Sequence, residues 1–368
     1  MKVLQIVSVS FSLRYFIGNQ FSHFRSKGIS YTVACSPSED LYQYSKEKKF
    51  DVFPVAIRRS ISPVQDLFSI WKLYRFIKRN KFDVVIAHTP KGGLIGMISS
   101  FLAGSPKRVY FRHGLVFETS KGLKHKLLVL IEKVTSYCAH LIVNVSPSIE
   151  NKALQLGLND PSKNIILGQG TCNGIDINRF TPITPTTNDD VKRKITIGFV
   201  GRLSNDKGIT ELVEAWKILE ARHSHIELLL IGPVDERDRL IPETMTSIEN
   251  SKSIRCLGEI HDVAMYYREM DIFVLPSYRE GFPTVTLEAS ASGLPVVTTK
   301  NTGCVDSILE GKTGIFTELT PQAIADALEV YIGDPALRKE HGSNGRRFVV
   351  ENFSEQIVYK EIASKILS

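Results

Sequence analysis

Cysteine is scarce in this sequence of 368 residues, and no two cysteines stand in a Cys-x-x-Cys spacing. Because zinc and redox sites usually need such spacing, its absence argues against a zinc site. An odd number of cysteines scattered along the chain indicates reduced, mostly buried thiols, as in a cytosolic protein. They are Cys35, Cys138, Cys172, Cys256 and Cys304.

Long hydrophobic runs are also missing, since none reaches the roughly 18 residues that span a membrane. The segment Met1–Val9 has a short apolar core and no cleavage site of small residues after it. This pattern is more typical of a first strand than of a signal peptide. We therefore expect a cytoplasmic protein.

Three functional motifs are absent as well. The chain has no Asp-x-Asp, so we expect no essential metal ion and no bound cofactor. No Gly-x-Gly-x-x-Gly follows the first predicted strand, which disfavours a dinucleotide-dependent oxidoreductase. Zinc-finger spacings and aromatic-basic RNA-binding signatures are missing too, so a nucleic-acid partner is not expected. The net charge of +7 instead favours an anionic membrane or a phosphorylated substrate.

The length and the 43% hydrophobic content fit a soluble protein of two domains. Strands and amphipathic helices alternate through both halves, which predicts an α/β fold with doubly wound parallel sheets. A turn-rich segment at 173–182 and a polar linker after it place the boundary near residue 180. We expect an N-terminal domain at 1–180, a C-terminal domain at 181–350, and a helix at 351–368 that packs back on the N-terminal domain.

The predicted strands are Lys2–Ser10, Ser30–Cys35, Val52–Ile57, Asp83–Ala87, Val109–Arg112, Leu141–Asn144, Lys194–Val200, Ile226–Ile231, Ile254–Leu257, Asp271–Leu275 and Pro295–Thr298. The predicted helices are Tyr15–Lys27, Pro63–Asn80, Gly208–Arg222, His261–Glu269, Pro321–Ile332 and Ser354–Leu367. In the second of these helices, one face is expected to be apolar, with Leu67, Phe68, Trp71, Tyr74 and Ile77.

The segment Gly198–Gly208 is a first candidate site, because it combines a strand, a loop and a helix start. Gly201 lets the backbone approach a ligand closely. Arg202 and Lys207 can converge from the loop onto phosphate oxygens. A solvated polar loop is the alternative for this segment alone.

The segment Glu280–Ala289 is a second candidate site and follows a buried strand. Gly281 and Pro283 predict a turn, so Glu280 lies in the loop before a helix and Glu288 lies inside that helix. Between the two carboxylates are the unpaired backbone N–H groups of the helix N-terminus, which suit an anion. A nucleotide-sugar, with its phosphates in the middle, would meet one carboxylate at each end. Two surface glutamates beside a helix start are the alternative.

Together these segments resemble the retaining family 4 glycosyltransferases, closest to bacterial enzymes that build lipid-linked oligosaccharide, capsule or O-antigen. The resemblance implies the GT-B fold, in which two Rossmann-like domains face each other across an active-site cleft. The loop after the first strand, Ser10–Arg14, departs from the family's Gly-Gly-rich pattern. The matching motifs are Gly201-Arg202-Leu203, Lys207-Gly208, Glu280-Gly281-Phe282-Pro283, Leu287-Glu288-Ala289, Gly293-Leu294-Pro295, Gly311-Lys312-Thr313-Gly314 and Asn173-Gly174-Ile175-Asp176.

The resemblance also implies roles for single residues. Arg202 and Lys207, beside Gly201, would bind the diphosphate of the donor. Glu288 would hold the ribose hydroxyls, and Glu280 would act at the transferred sugar. The backbone beside that sugar would be that of Gly281, Phe282 and Pro283.

His113 matches a family histidine that lies near the reacting sugar. It follows a predicted strand in the sequence Phe111-Arg112-His113-Gly114. Without the resemblance, a structural core or loop histidine is the alternative.

The expected reaction moves a sugar from a nucleotide-sugar, with UDP as the expected nucleotide, to an acceptor hydroxyl on a lipid-linked glycan. Two other functions stay open: a nucleotide-sugar epimerase of the same fold, and a non-catalytic nucleotide-sugar-binding protein. A transferase releases nucleoside diphosphate only with acceptor, apart from slow hydrolysis. An epimerase interconverts donors, and a binding protein does neither.

The segment Lys121–Ile131 places Lys121, Lys124 and Lys126 beside an apolar run. This pattern favours a helix in an anionic lipid interface, here the inner face of the cytoplasmic membrane. A solvated helix over a buried core is the alternative.

Overall fold

Strands of the described chain form two parallel sheets, one in each half of the sequence. The computed structural model describes residues 1–58, 60, 62–118, 120–182 and 194–368. They divide into two units, Met1–Gly174 with Gln356–Ser368, and Ile175–Glu355. The first unit thus ends before the boundary expected near residue 180, and the helix expected from 351 joins that unit only from Gln356. Residues 183–193 of the predicted linker lie outside the described residues.

The first unit contains a parallel sheet with the order β3-β2-β1-β4-β5-β6-β7, whose strands are β1 (Lys2–Ile6), β2 (Ser30–Cys35), β3 (Asp51–Pro54), β4 (Val84–His88), β5 (Lys107–Arg112), β6 (Leu141–Asn144) and β7 (Asn164–Ile165). This order puts β1, β4 and β5 side by side at the centre. Gln5 of β1 pairs with Ile86 of β4, and His88 at the end of β4 pairs with Phe111 of β5.

Several helices of the first unit begin at a residue whose side chain caps the backbone. The hydroxyls of Ser38, Thr89 and Ser146 each accept a backbone N–H from the first turn that follows. The helices are α1 (Ser12–Phe16), α2 (Gln20–Arg25), α3 (Glu39–Lys48), α4 (Pro63–Asn80), α5 (Pro90–Leu102), α6 (Gly122–Cys138) and α7 (Pro147–Gln155). Among them α5 packs between α4 and α6.

The single helix predicted at Tyr15–Lys27 is wrong, because the chain forms α1 and α2 with a break at Gly18. Gly18 has a φ of +50°, which is left-handed and ends a helix. Its N–H donates to the carbonyl of Leu13 at 2.9 Å. A Cβ at this position would come within 2.7 Å of the Asn173 side chain, so the packing also favours glycine here.

The bounds predicted for α4 are confirmed, but its predicted apolar face is wrong in part. Leu67, Phe68 and Trp71 are exposed, whereas Leu73 and Ile77 are buried. The buried face also contains Ser69, whose hydroxyl donates to the carbonyl of Ala56 at 2.7 Å. The helix therefore packs through a face that includes a hydrogen-bonded serine and leaves a second apolar row in solvent.

The second unit repeats the architecture with the order β10-β9-β8-β11-β12-β13, in which the strands are β8 (Ile195–Val200), β9 (Ile226–Ile231), β10 (Ile254–Cys256), β11 (Ile272–Leu275), β12 (Val296–Thr299) and β13 (Gly314–Thr317). Its helices are α8 (Ile209–Arg222), α9 (Pro242–Asn250), α10 (Ala264–Tyr267), α11 (Thr284–Ala291), α12 (Pro321–Gly333) and α13 (Pro335–Asn352). The last helix, α14 (Glu355–Lys365), carries the chain back into the first unit.

Burial follows the predicted pattern in α8, where the inward residues Leu212, Ala215, Trp216 and Leu219 are buried. The five cysteines are free, and only Cys256 among them is exposed. In the chain that the structure describes, no helix combines the length and the apolarity of a membrane span.

Candidate active site

The loops after β8 and β11 touch each other, because these strands are neighbours in the second sheet. The carbonyl of Asp206 accepts the backbone N–H of Tyr278 at 3.0 Å and the hydroxyl of Ser277 at 3.1 Å. A Cβ at Gly208 would come within 2.0 Å of the carbonyl oxygen of Pro276, so only glycine allows this approach. The two segments singled out by the sequence are therefore brought together at the carboxyl ends of parallel strands.

Lys207 and Glu280 form an ion pair across these loops, with 2.5 Å between Nζ and Oε1. Each side chain is only 14% exposed, so this pair is less screened by solvent than a surface pair. The backbone N–H of Glu280 donates to the carbonyl of Thr302 at 3.0 Å, which fixes the loop against the segment after β12. Lys207 and Glu280 thus meet at a partly buried and rigid position.

Arg202 pairs with a different carboxylate from the one that Lys207 contacts. Its guanidinium contacts the carboxylate of Asp235, and its Nη2 is 3.7 Å from Asp206 Oδ2. The side chain is 48% exposed, so it can reach a ligand by rotating away from these carboxylates. The closest carboxylate to Arg202 is therefore that of Asp235, whereas the closest to Lys207 is that of Glu280, although both cations belong to one loop.

Asp206 is the anion around which several cations gather. Burial works to raise the pKa of Asp206, but the Ser204 hydroxyl at 2.5 Å and the nearby Lys207, Arg202 and Arg279 lower it overall. The carboxylate is therefore ionised at neutral pH and balances the cations when no anionic ligand is bound.

Sequence reasoning missed Arg279 and Asp235 at this site. Arg279 Nη2 is 3.8 Å from Asp206 Oδ2, and Asp235 holds Arg202. Arg279 directly precedes Glu280 in the sequence, and this position could have indicated that Arg279 belongs to the site. Asp235 had a weaker signal, since it follows β9, the other neighbour of β8.

Glu288 lies inside α11, and Glu280 lies in the loop before it, as the sequence predicts. The hydroxyl of Tyr267 donates to Glu288 Oε2 at 2.9 Å. Burial raises the pKa of Glu288, although this hydrogen bond and the charge of Arg179 oppose the shift. Tyr267 was not predicted as a site residue, and it fixes the orientation of the carboxylate.

The remaining loop residues shape the start of α11. The carbonyl of Pro283 accepts the hydroxyl of Thr286 at 2.6 Å. The ring of Phe282 packs against Phe353, with 5.4 Å between ring centroids. Gly281 is partly buried.

His113 follows β5 in the first unit, whereas the donor-side candidates belong to the second unit. Its Nε2 is 2.9 Å from Nδ1 of His88, and the ring of Phe16 stacks on it with 3.7 Å between centroids. Burial, followed by the neighbouring His88, keeps the pKa of His113 well below its ordinary value. His113 is therefore a neutral, hydrogen-bonded imidazole at neutral pH.

Two family models match the chain: "Glycosyl transferase 4-like" at residues 2–146 and "Glycosyl transferases group 1" at residues 185–348. The capsular polysaccharide biosynthesis glycosyltransferase CapM of Staphylococcus aureus is 33% identical over 372 residues, or 99% of this chain and 96% of CapM. The chain belongs to the family 4-like glycosyltransferases.

The chain is also similar to a second glycosyltransferase and to a solved structure. The UDP-Gal:alpha-D-GlcNAc-diphosphoundecaprenol alpha-1,3-galactosyltransferase of Escherichia coli is 27% identical, covering 88% of this chain and 84% of that enzyme. The crystal structure of Anabaena HepE with UDP and glucose matches all of both chains, with a TM-score of 0.80 and 20% identity. The predicted GT-B fold, with two parallel α/β domains, is confirmed.

In the candidate site Glu280 and Asp206 lie beside cations of the protein, whereas Glu288 accepts the hydroxyl of Tyr267. Within the described residues, no group of three or more His, Cys, Asp or Glu side chains could hold a metal ion. Metal-independent transfer stays a prediction.

Proposed function

We propose that this glycosyltransferase moves a sugar from a UDP-sugar to a hydroxyl of a lipid-linked glycan, with retention of configuration and without a metal ion. The Lys207–Glu280 pair, just before the N-terminus of α11, carries the donor part of this proposal. A diphosphate needs cations and backbone N–H groups, and the ribose and the sugar need acceptors for their hydroxyls. Glu288 and Glu280 supply those acceptors on the two sides of the helix start.

The name of the E. coli relative specifies a UDP-sugar as donor and a glycan on diphosphoundecaprenol as acceptor. We extend both classes to this chain, because the relative aligns with most of its length. The acceptor assignment depends on this likeness and on the membrane-facing features described below.

In the proposed reaction, the bond between the sugar C1 and the diphosphate oxygen breaks, and the acceptor oxygen bonds to C1 on the same face. The acceptor proton passes to the departing phosphate oxygen, so the charges balance. Lys207, Arg202 and the N–H groups of α11 stabilise the negative charge that develops on the diphosphate. Since Lys207 is paired with Glu280 in the structure, the donor phosphate takes over part of the lysine's contacts on binding.

UDP or a UDP-sugar should stabilise the protein in the presence of EDTA. A ligand at about 100 times its dissociation constant should add roughly 2.7 kcal/mol to the free energy of unfolding. The measurement is a thermal shift across UDP-, GDP- and ADP-linked sugars, with and without EDTA. A shift that appears only after Mg²⁺ or Mn²⁺ is added would contradict the metal-free site.

The reaction type is tested by incubating the best UDP-sugar with and without lipid-diphosphate-linked glycans. A transferase should release UDP far faster with acceptor, and the product should keep the anomeric configuration of the donor. Conversion of one UDP-sugar into its epimer without acceptor would instead identify an epimerase.

The first unit exposes two apolar rows that a lipid interface would cover. In α4 the row is Val64, Leu67, Phe68 and Trp71, and in α6 it is Leu123, Leu127, Leu130, Val134 and Tyr137. Phe101, at the end of α5, is exposed as well, and its ring lies 6.1 Å from that of Tyr137. Such spacing on exposed helices is typical of interfacial helices.

Cations accompany these rows. Arg75 lies over the ring of Trp71 at 4.8 Å, and Lys78 and Arg79 are exposed at the end of α4. Lys121, Lys124 and Lys126 are exposed at the start of α6. Because apolar side chains beside basic ones suit an anionic bilayer, we propose peripheral binding of the first unit to the inner face of the cytoplasmic membrane.

Replacing Lys121, Lys124 and Lys126 by glutamate should release the protein from anionic vesicles. Each cation near the surface contributes about 1 kcal/mol, within a Debye length of roughly 10 Å at 0.1 M salt. Vesicle sedimentation at low and high salt measures the loss. Transfer to lipid-linked acceptors should slow more than transfer to short soluble analogues.

The matched control changes the same number of exposed lysines in the second unit, Lys217, Lys252 and Lys312, to glutamate. It alters the net charge equally and should leave vesicle binding within about twofold, since these lysines lie outside the two helices. Equal loss in both triple variants would show that net charge alone, and not this surface, attracts the membrane.

A further inference from the structure

A chain of side-chain contacts runs through the ends of three neighbouring strands of the first sheet. Gln5 on β1 lies with its Oε1 2.8 Å from Nε2 of His88, at the end of β4. His88 Nδ1 lies 2.9 Å from Nε2 of His113, which follows β5. The three side chains come together because β1, β4 and β5 are adjacent in the sheet.

Both rings are held in a low-dielectric setting. His88 is 2% exposed, and burial lowers its pKa to about 3. The ring of His88 stacks on Phe111 at 4.8 Å, and that of His113 stacks on Phe16 at 3.7 Å. An imidazolium at either position would lose its hydration without gaining a carboxylate, so both rings are neutral.

If His88 and His113 are both neutral, only one placement of their ring protons is consistent with the two hydrogen bonds. The carbonyl oxygen of Gln5 accepts only, so His88 carries its proton on Nε2. Its Nδ1 then holds a lone pair and accepts the Nε2–H of His113. His113 is left with a lone pair on Nδ1, for which the described residues supply no hydrogen-bond partner.

We propose that His88, supported by Gln5, is a positioning residue that holds His113 in the tautomer protonated on Nε2. In that tautomer Nδ1 of His113 is an acceptor for a sugar hydroxyl and not a cation for the diphosphate. This use of His113 rests on the proposed function, whereas the tautomer follows from the contacts of the first unit alone.

The nearby network of Arg112 shows how a purely structural cluster differs. Arg112 is fully buried, and its donors go to Glu132, Asn144, Ser136 and Asn159. Each of these guanidinium donors has an acceptor within the protein. The Gln5–His88–His113 chain instead ends on a half-buried ring with an unused acceptor, as a site that receives a ligand hydroxyl does.

The tautomer is tested on the full-length protein labelled with ¹⁵N-histidine, by long-range ¹H–¹⁵N correlation at neutral pH. His88→Asn and His113→Ala assign the two rings by loss of their signals, and the exposed His261 is an internal reference for a freely exchanging ring. We expect a protonated Nε2 and an unprotonated Nδ1 in both His88 and His113. A proton on Nδ1 of His113, or a mixture like that of His261, would overturn the proposal.

A variant pair separates positioning from packing. Asparagine at 88 keeps an acceptor near the position of Nδ1, whereas phenylalanine keeps the ring volume and loses the acceptor. His88→Phe should lower kcat by about tenfold or more, with the KM for the donor within twofold. His88→Asn should recover most of that loss and preserve the Nε2-protonated His113 spectrum. Equal kcat in the two variants would overturn the positioning role.

Gln5→Leu removes the acceptor at the start of the chain and should give His113 a mixture of tautomers in the same spectra. An unchanged single tautomer would show that Gln5 does not set it, and would overturn that part of the proposal. If His113→Ala keeps its turnover number while the wild-type spectrum is as expected, the proposed role of His113 in turnover fails, and with it the kinetic role of His88. The tautomer of His113 is then still supported by the spectrum.

Discussion

Replacing Lys207 by alanine should lower kcat/KM for sugar transfer by about 10- to 150-fold. A charge-assisted hydrogen bond to a phosphate contributes roughly 1.5–3 kcal/mol, and each 1.36 kcal/mol corresponds to a factor of ten. Because Lys207 also balances Glu280, the variant leaves that carboxylate without its cation beside the proposed diphosphate site. Steady-state kinetics with varied donor, together with the dissociation constant of UDP, measure both effects.

Lys217→Ala is the matched control, since Lys217 on α8 forms only an exposed pair with Glu214. It should change kcat/KM by less than about twofold. In the double variant Lys207→Ala/Glu280→Gln, the affinity for UDP should partly recover because the repulsive carboxylate is gone. Wild-type donor kinetics in Lys207→Ala would remove this lysine from the site.

Replacing Arg112 by methionine should destabilise the first unit by about 3–5 kcal/mol, because it leaves Glu132 buried without a cation. Arg112 Nε lies 2.7 Å from Glu132 Oε1, and the two side chains are 0% and 8% exposed. This pair links β5 to α6. Its loss should therefore also destabilise the end of β5, which His113 follows. The free energy of unfolding is measured by urea denaturation. Hydrogen-exchange mass spectrometry of peptides from β5, β6 and α6 follows the unfolding of this unit alone.

Removing both charges, in Arg112→Met/Glu132→Leu, should restore part of the stability, since no uncompensated charge stays buried. The recovery is incomplete because Asn144, Ser136 and Asn159 still lose the donors of Arg112. Arg255→Met is the control, because Arg255 is 39% exposed and pairs with Glu227 and Glu269 at the surface of the second unit. It should lose at most about 1 kcal/mol. A similar small loss in Arg112→Met would contradict the assignment of Arg112 as a buried structural cation.

Most strands could be predicted from the sequence because they are short apolar runs between turn residues, whereas β7 and β13 were not predicted. Ser30–Cys35, Leu141–Asn144 and Ile226–Ile231 have the predicted bounds. Local patterns also placed Glu280 in a loop and Glu288 in a helix, since Gly281, Pro283 and Gly293 set the turn and the helix end.

Contacts between distant segments could not be predicted in the same way. Lys207 and Glu280 are 73 residues apart, and they meet because β8 and β11 are neighbours in the sheet. The partner of Arg202 and the hydrogen bond from Tyr267 to Glu288 depend equally on strand order and loop packing. For α4, hydrophobicity alone gave a buried face that is wrong in part, because apolar residues occur on two sides and tertiary packing on α5 selects between them.

The return of the chain into the first unit has a consequence for synthesis on the ribosome. Residues 356–368 complete the first unit, with Val358, Tyr359 and Ile362 buried and the ring of Tyr359 4.7 Å from that of His23. The second unit is one continuous stretch, Ile175–Glu355, and all of it is synthesised before residues 356–368. Domains generally fold as units during translation, so the unit that begins the chain is the last to be finished. The first unit therefore receives its helix α14 only after the whole second unit has been synthesised, and premature termination after residue 355 leaves the first unit without residues 356–368.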